Sequence, residues 1–353
     1  MLTTIQNALK TKEIRMKLLY VLIGLVIVRI GCNIPIPGTK PDVMQNLFNS
    51  NQSLGFLDVM TGGSFSRMSI FALNITPYIT ASIILQLLTI AIPRLEEMQK
   101  DGEDGRKKLT KITRYLTVVL ALIESIAMSV GFGRQGLLKE YNFVNAAIVV
   151  LTLTAGSAFL MWAGEQITEK GVGNGISIVL VINILSRVPN DMTTLYSQFV
   201  KGKSIAKGGL AAVIILAIIL ALVVFTTLLQ DAERRIAVQY SQKVTGRRTY
   251  GGQTTHIPLK VNTAGVIPII FASSLMQFPI VIASLAGKGN GNGIGSQILK
   301  GMNQGNWLNP DQIQYSWGLV VYIILTVFFA YFYTSITFNP LEIANNMKKS
   351  GGF

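Results

Sequence analysis

Long apolar runs decide what this chain can fold into. Residues 18–30, 146–163, 209–229 and 318–332 are almost free of charge. A helix needs about 20 mostly apolar residues to cross a hydrocarbon core of roughly 30 Å. No water reaches the backbone there, so each crossing segment must satisfy its own N–H and C=O groups as a helix. The pattern predicts an all-α polytopic membrane protein. Composition agrees: 50% of residues are hydrophobic and 14% charged, whereas soluble domains are about 25% charged. The first run is too long for a cleavable signal, lacks a small-residue cleavage pattern, and is followed by further runs.

Hydropathy predicts eight spans, at about 16–34, 74–92, 114–131, 143–164, 173–189, 209–229, 262–286 and 315–337. Lys and Arg in the loops set their orientation. With the N-terminus cytoplasmic, the inner side carries twice the Lys and Arg of the outer side. Lys201, Lys203 and Lys207 are an exception on the outer side. Most of the net charge of +14 is this topological bias, which makes nucleic acid an unnecessary explanation. Two inner loops, at 93–114 and 231–260, are still larger than topology requires. In the second, RRIAVQY alternates like a short strand, and Gly246-Arg247-Arg248 reads as a turn presenting two guanidiniums. Such forks bind phosphate or carboxylate, so the surface is either a docking site or a solvated loop.

The sequence offers little for catalysis. One Cys (Cys32) and one His (His256) leave no material for a disulfide or a metal site. No HExxH, GxSxG or P-loop pattern occurs, and no cofactor or enzymatic activity is expected. GKGNGNGIG at 287–295 reads as a flexible outer linker.

The unusual features lie within or beside spans. Glu124 sits in the middle of YLTVVLALIESIAMSV, where an acid is costly and marks an interior contact or an ion-coupling site. Ile75 and Ile79, and Ile176 and Leu180, are spaced to share helix faces; lipid contact would explain them equally well. Pro77, Gly265, Pro268 and Pro279 would kink their spans. FLDVMTGGSFSRMS at 56–69 is too short to cross a bilayer and carries Gly62-Gly63 between two spans.

IPIPG at 34–38, the run at 62–88, WAGEQITEKGVGNGISI at 162–178, the run at 246–274 and FNPLEIANNMKKSGGF at 338–353 together resemble the SecY family of bacterial protein-conducting channels. The match is collinear along essentially the whole chain. It implies two inverted halves, here 1–207 and an incomplete 208–353, that open sideways to lipid between the second and seventh spans. Unfolded secretory chains and signal peptides would pass, and membrane segments would leave into lipid. SecE and SecG would be partner subunits, and the SecA motor or a translating ribosome would dock on the cytoplasmic loops. The location would be the bacterial plasma membrane.

By motif, the resemblance assigns Ile75, Ile79, Ile176, Leu180 and Ile270 to a central aliphatic ring. Thr80, Ser274 and Phe278 become lateral-gate residues, with Glu124 and Gln277 as a polar contact of the gate. Arg247 and Arg248 become the docking tip. Residues 55–69 become a plug, a short re-entrant helix. In it, Phe56, Leu57, Val59 and Met60 would rest against the ring. Asp58, Ser64, Ser66 and Arg67 would face a water-filled funnel, and Gly62 and Gly63 would supply a hinge. The family pattern calls for ten spans against the eight found here, so a sealed channel from this chain alone is not expected. A secondary transporter is the rival reading. The scarcity of intramembrane charge and the large basic loops argue against it. A purely structural scaffold explains neither the polar gate residues nor the segment at 56–69.

Overall fold

A computed structural model describes residues 10–50, 55–201, 205–238, 243–245, 248–250, 255–285, 293–307, 310–338 and 340–349. In chain order the elements begin with α1 (Lys12–Gly31), α2 (Pro41–Ser50), α3 (Gly55–Met60), α4 (Thr76–Ala91), α5 (Pro93–Lys100) and α6 (Gly102–Phe132). A π-turn at Gly133–Leu137 leads to α7 (Phe143–Lys170), α8 (Gly175–Leu185), α9 (Val188–Phe199) and α10 (Ile205–Asp231). Strands β1 (Glu233–Val238), β2 (Lys243–Thr245), β3 (Arg248–Tyr250) and β4 (Thr255–Lys260) follow. The described chain ends with α11 (Ile267–Leu285), α12 (Ile294–Met302), α13 (Trp317–Thr337) and α14 (Pro340–Lys349).

A helix lies at each predicted span, but the helices are unequal. Among the described residues, α6, α7, α10 and α13 are long and apolar enough to cross a membrane, and α4 with α5 adds a bent fifth. The others fall short for visible reasons. The 20-residue α1 carries Lys12, Arg15, Lys17 and Arg29. The 11 residues of α8 reach only about 16 Å at 1.5 Å per residue. Pro279 lies inside α11, which runs on to Leu285.

The chain forms two compact units, 1–191 with 277–316 and 192–276 with 317–353. In the first unit α6 lies along α7, α4 along α6, and α1 and α8 against α7. The sequence explains the close fit of α6. Thr113, Thr117, Ala121, Ser125 and Ser129 are buried at every fourth position. On α7, Gly156, Ser157 and Gly164 are buried. Small residues let membrane helices approach closely and exchange hydrogen bonds. The Ser125 and Thr154 hydroxyls are 2.9 Å apart, and the Ser129 hydroxyl donates to the Ala146 carbonyl at 3.2 Å.

In the second unit α11 meets α13 through stacked Phe271 and Phe329 rings, 5.2 Å apart, and a 3.4 Å bond from the Ser273 hydroxyl to Tyr322. The predicted strand in RRIAVQY is present as β1, paired antiparallel with β4 from Glu233↔Lys260 to Val238↔Thr255. The all-helical expectation thus fails in this loop. Alternation of apolar and polar residues suits a half-buried strand, and outside the bilayer nothing excludes one. His256 is exposed on β4, as expected for a solvated loop. The presumed linker is shorter than its composition suggested: residues 286–292 lie outside the described set, and α12 already begins at Ile294.

Candidate channel site

Three of the four expected ring residues of the first unit, Ile75, Ile79 and Ile176, come together. Ile75 is 1% exposed. It lies in one apolar cluster with Val28, Phe71, Leu160, Ile167 and Val179, and Ile79 and Ile176 pack on that cluster. Local structure aims them. Ile75 is the residue just before α4, and the Ile79 N–H donates to its carbonyl at 3.0 Å. Ile176 sits in the first turn of α8, whose start Asn174 caps by accepting from the Ile176 and Ser177 N–H groups. The tight GVGNG approach is steric as well. A Cβ on Gly175 would lie 2.1 Å from the Gly164 carbonyl oxygen, so only glycine lets α8 meet α7 there. Leu180 is half-buried on α8, outside this cluster. Ile270 lies half-buried on α11 in the second unit.

The segment at 55–69 divides in two. Residues Gly55–Met60 form α3, which ends where Gly62 and Gly63 adopt φ of +66° and +83°. Only glycine takes this left-handed backbone without strain. Beyond it, Phe65 and Met68 are buried with Met44, Phe132, Leu137 and Leu153. The IPIPG motif holds this second part: the Ile36 N–H donates to the Met68 carbonyl at 2.9 Å, and the Ile70 N–H to the Ile34 carbonyl at 3.0 Å. The part held by these bonds thus lies beyond α3 and its two glycines.

Charge on this segment differs from expectation. Asp58 is 6% exposed and Ser64 is fully buried, where a water-filled funnel was expected. Asp58 is buried because it is paired: Oδ1 accepts from the Ser66 N–H at 2.9 Å, and Oδ2 meets the Arg187 guanidinium. Arg67 is exposed and donates to Asn33. Val59 and Met60 are half-buried. The side chains of Phe56 and Leu57 lie outside the described residues.

Sequence reasoning missed the polar strand of this site. Asn183 on α8 donates to the Asn74 side chain at 3.2 Å. The Asn74 amide donates to the Met60 carbonyl at 3.3 Å, and the Ser157 hydroxyl donates to the Asn74 carbonyl at 3.1 Å. Asn74 holds φ of +52°, which asparagine tolerates better than most residues. Polar residues inside predicted spans, with Asn74 opening the second, Ser157 in the fourth and Asn183 in the fifth, were the available signal.

The expected gate residues are less united. Glu124 is half-buried on α6, and no hydrogen bond joins it to Gln277 among the described residues. The polar helix contacts expected of Glu124 are made by its neighbours Ser125 and Ser129. Thr80 is half-buried, Gln277 buried, and Ser274 and Phe278 exposed. Arg248 opens β3 opposite Thr245, and Arg247 lies outside the described residues.

Comparisons with known proteins bear on the fold and the family. A family model described as SecY matches residues 69–353. The protein translocase subunit SecY of Pseudomonas aeruginosa is 42% identical over 343 residues, covering 97% of this chain and 75% of that protein. Among solved structures, a SecY whose plug domain stabilises the closed translocation channel and maintains a membrane seal superposes with a TM-score of 0.60 at 18% identity, covering 97% of this chain and 78% of that one. Sec61 of the canine ribosome-channel complex from the endoplasmic reticulum gives 0.62 at 18% identity, covering 95% and 76%. An identity of 42% along nearly the whole chain, with a family model matching from Ser69 onward, establishes that this protein belongs to the SecY family.

Proposed function

We propose that the chain is the channel subunit of a protein translocase, passing unfolded secretory chains across the bacterial plasma membrane and releasing membrane segments into it. The observation that carries this is family membership joined to the aliphatic cluster of Ile75, Ile79 and Ile176, with the short helix α3 nearby. Branched aliphatic side chains form a gasket that excludes ions by dewetting and yields to a passing chain. In this reading the chain has eight spans, a cytoplasmic N-terminus, and halves at 1–207 and 208–353. Leu180 and Ile270 complete the ring, α3 serves as the plug, and the second and seventh spans flank the lateral gate. SecE and SecG join it as subunits. The channel has no catalytic step of its own; SecA or a ribosome supplies the driving force. The test is protease protection of a signal-bearing precursor in vesicles holding the chain with its partners. Protection equal to that of empty vesicles would overturn the reading.

The basic loop at 231–260 is the docking surface in this account. Reversing Arg247 and Arg248 to Glu is expected to weaken ribosome or SecA binding in a salt-sensitive way. Hydrogen bonds to charged groups contribute about 1.5–3 kcal/mol each, so the loss should be at least about tenfold. Unchanged affinity in a binding titration would remove the loop from the docking site.

Glu124→Leu separates two roles of that acid. A carboxylate at a helix centre costs about 2.5–3.5 kcal/mol in lipid, and here it has no partner among the described residues, so the variant should melt at a higher temperature. If Glu124 also belongs to the gate, the export of precursors with weakened signal sequences should change. A gain in melting temperature with unchanged export would leave it no gating role.

A further inference from the structure

We infer that Arg187 is a positioning residue that sets the threshold for opening, by holding the plug closed through Asp58. The inference rests on the plug reading of α3 above. Arg187 lies two residues beyond the end of α8, and its N–H donates to the Ile184 carbonyl at 3.1 Å. A cation is favoured at a helix C-terminus, where the unpaired carbonyls gather. Its guanidinium reaches Asp58 Oδ2 on α3, across 129 positions of sequence. The same carboxylate takes the Ser66 N–H with Oδ1, which ties α3 to the anchored part of the segment. Asp58 is therefore shared between the movable helix, its anchor and the end of α8.

The end of α8 also fixes the hinge. A Cβ on Gly62 would stand 2.7 Å from the Asn183 carbonyl oxygen, so the hinge lies against the backbone of α8. Asn183 reaches Asn74, which in turn holds the Met60 carbonyl at the end of α3. The described contacts that keep α3 in place thus converge on 183–187, and among them one is ionic. Moving α3 aside separates a buried carboxylate from its cation. Removing one partner of such a pair is costly because the other charge stays buried and unpaired. That cost is the threshold a passing signal sequence must exceed, so Arg187 and Asp58 govern which precursors open the channel.

The test compares Arg187→Gln, Asp58→Asn, the double variant, Arg187→Lys and a deletion of residues 56–67, in vesicles holding the chain with its partners. Two quantities are read per assembled channel, resting ion conductance and transport of a precursor with a defective signal sequence. Each neutralising single variant is expected to raise both by about tenfold, since each removes the ion pair and Arg187→Gln also leaves the buried Asp58 carboxylate unpaired. Both changes break one contact, so the double variant should exceed neither single; effects that multiply would mean independent contacts and overturn the latch. Arg187→Lys keeps the charge and should stay near the parent. A lysine variant as leaky as glutamine would also count against it. Deletion separates the two claims. If the deletion leaks and the single variants do not, the plug stands and the latch is wrong. If nothing leaks, the plug reading itself fails.

Discussion

Replacing Ile79 and Ile176 by glycine in the same chain is expected to raise resting ion conductance by about tenfold or more. The two side chains come from different helices and pack on one apolar cluster. Each full burial of an isoleucine side chain is worth about 1.5–3 kcal/mol, and removal also leaves a cavity that its neighbours fill only in part. In a constriction, that space admits water, and a wetted constriction conducts. Neither position is at the tightest contact of the fold: both are half-buried, whereas Ile75 is 1% exposed. The variant should therefore assemble while leaking. Substituting the exposed Leu22 and Val223 in the same way is the control, and it should leave conductance unchanged. Equal conductance for the ring variant and the control would show that Ile79 and Ile176 do not seal a pore.

The second large effect is structural. Gly156→Val should destabilise the first unit by about 3 kcal/mol or more, read as a lower melting temperature and faster proteolysis. A Cβ there would stand 2.1 Å from the Ile70 carbonyl oxygen and 3.2 Å from the Phe71 ring. Backbone cannot yield as a flexible side chain can, and overpacking alone commonly costs about 1–3 kcal/mol. The displaced turn segment also carries Asn74, whose carbonyl accepts from Ser157, so polar contacts are lost with the packing. Gly209→Ala on the exposed face of α10 is the matched control. No atom lies within 4 Å of its Cβ, and alanine in a helix interior is favoured over glycine by about 0.5–1 kcal/mol.

Hydropathy was enough to place a helix at each long apolar run, because the bilayer imposes one solution there, but it did not show the shorter α2, α5, α9, α12 and α14. It could not set helix lengths: the Asn174 cap starts α8 and the Ser186 cap ends it, leaving 11 residues where 173–189 was predicted. The strand in RRIAVQY was legible from alternation alone. Side-chain partners were not. Asp58 reads as solvated because its partner, Arg187, is remote in sequence. Glu124 drew attention by its charge, while the bonds between α6 and α7 are made by Ser125 and Ser129, whose small hydroxyls look unremarkable in an apolar run. The glycines of the turn at 62–63 were legible, since two successive glycines before a span leave few other purposes. The division of 55–69 into a short helix and an anchored part was not, because it depends on the backbone bonds from Ile34 and Ile36.

The central claim is that a translocating chain passes through the aliphatic cluster of α4 and α8. Site-specific photocrosslinking tests it most directly, with probes at Ile79 and Ile176 and, for the lipid-exposed side, at Leu22 and Val223. A precursor stalled midway should crosslink strongly at Ile79 and Ile176 and weakly at Leu22 and Val223. Crosslinks of equal strength at all four positions, or none at Ile79 and Ile176, would contradict the account.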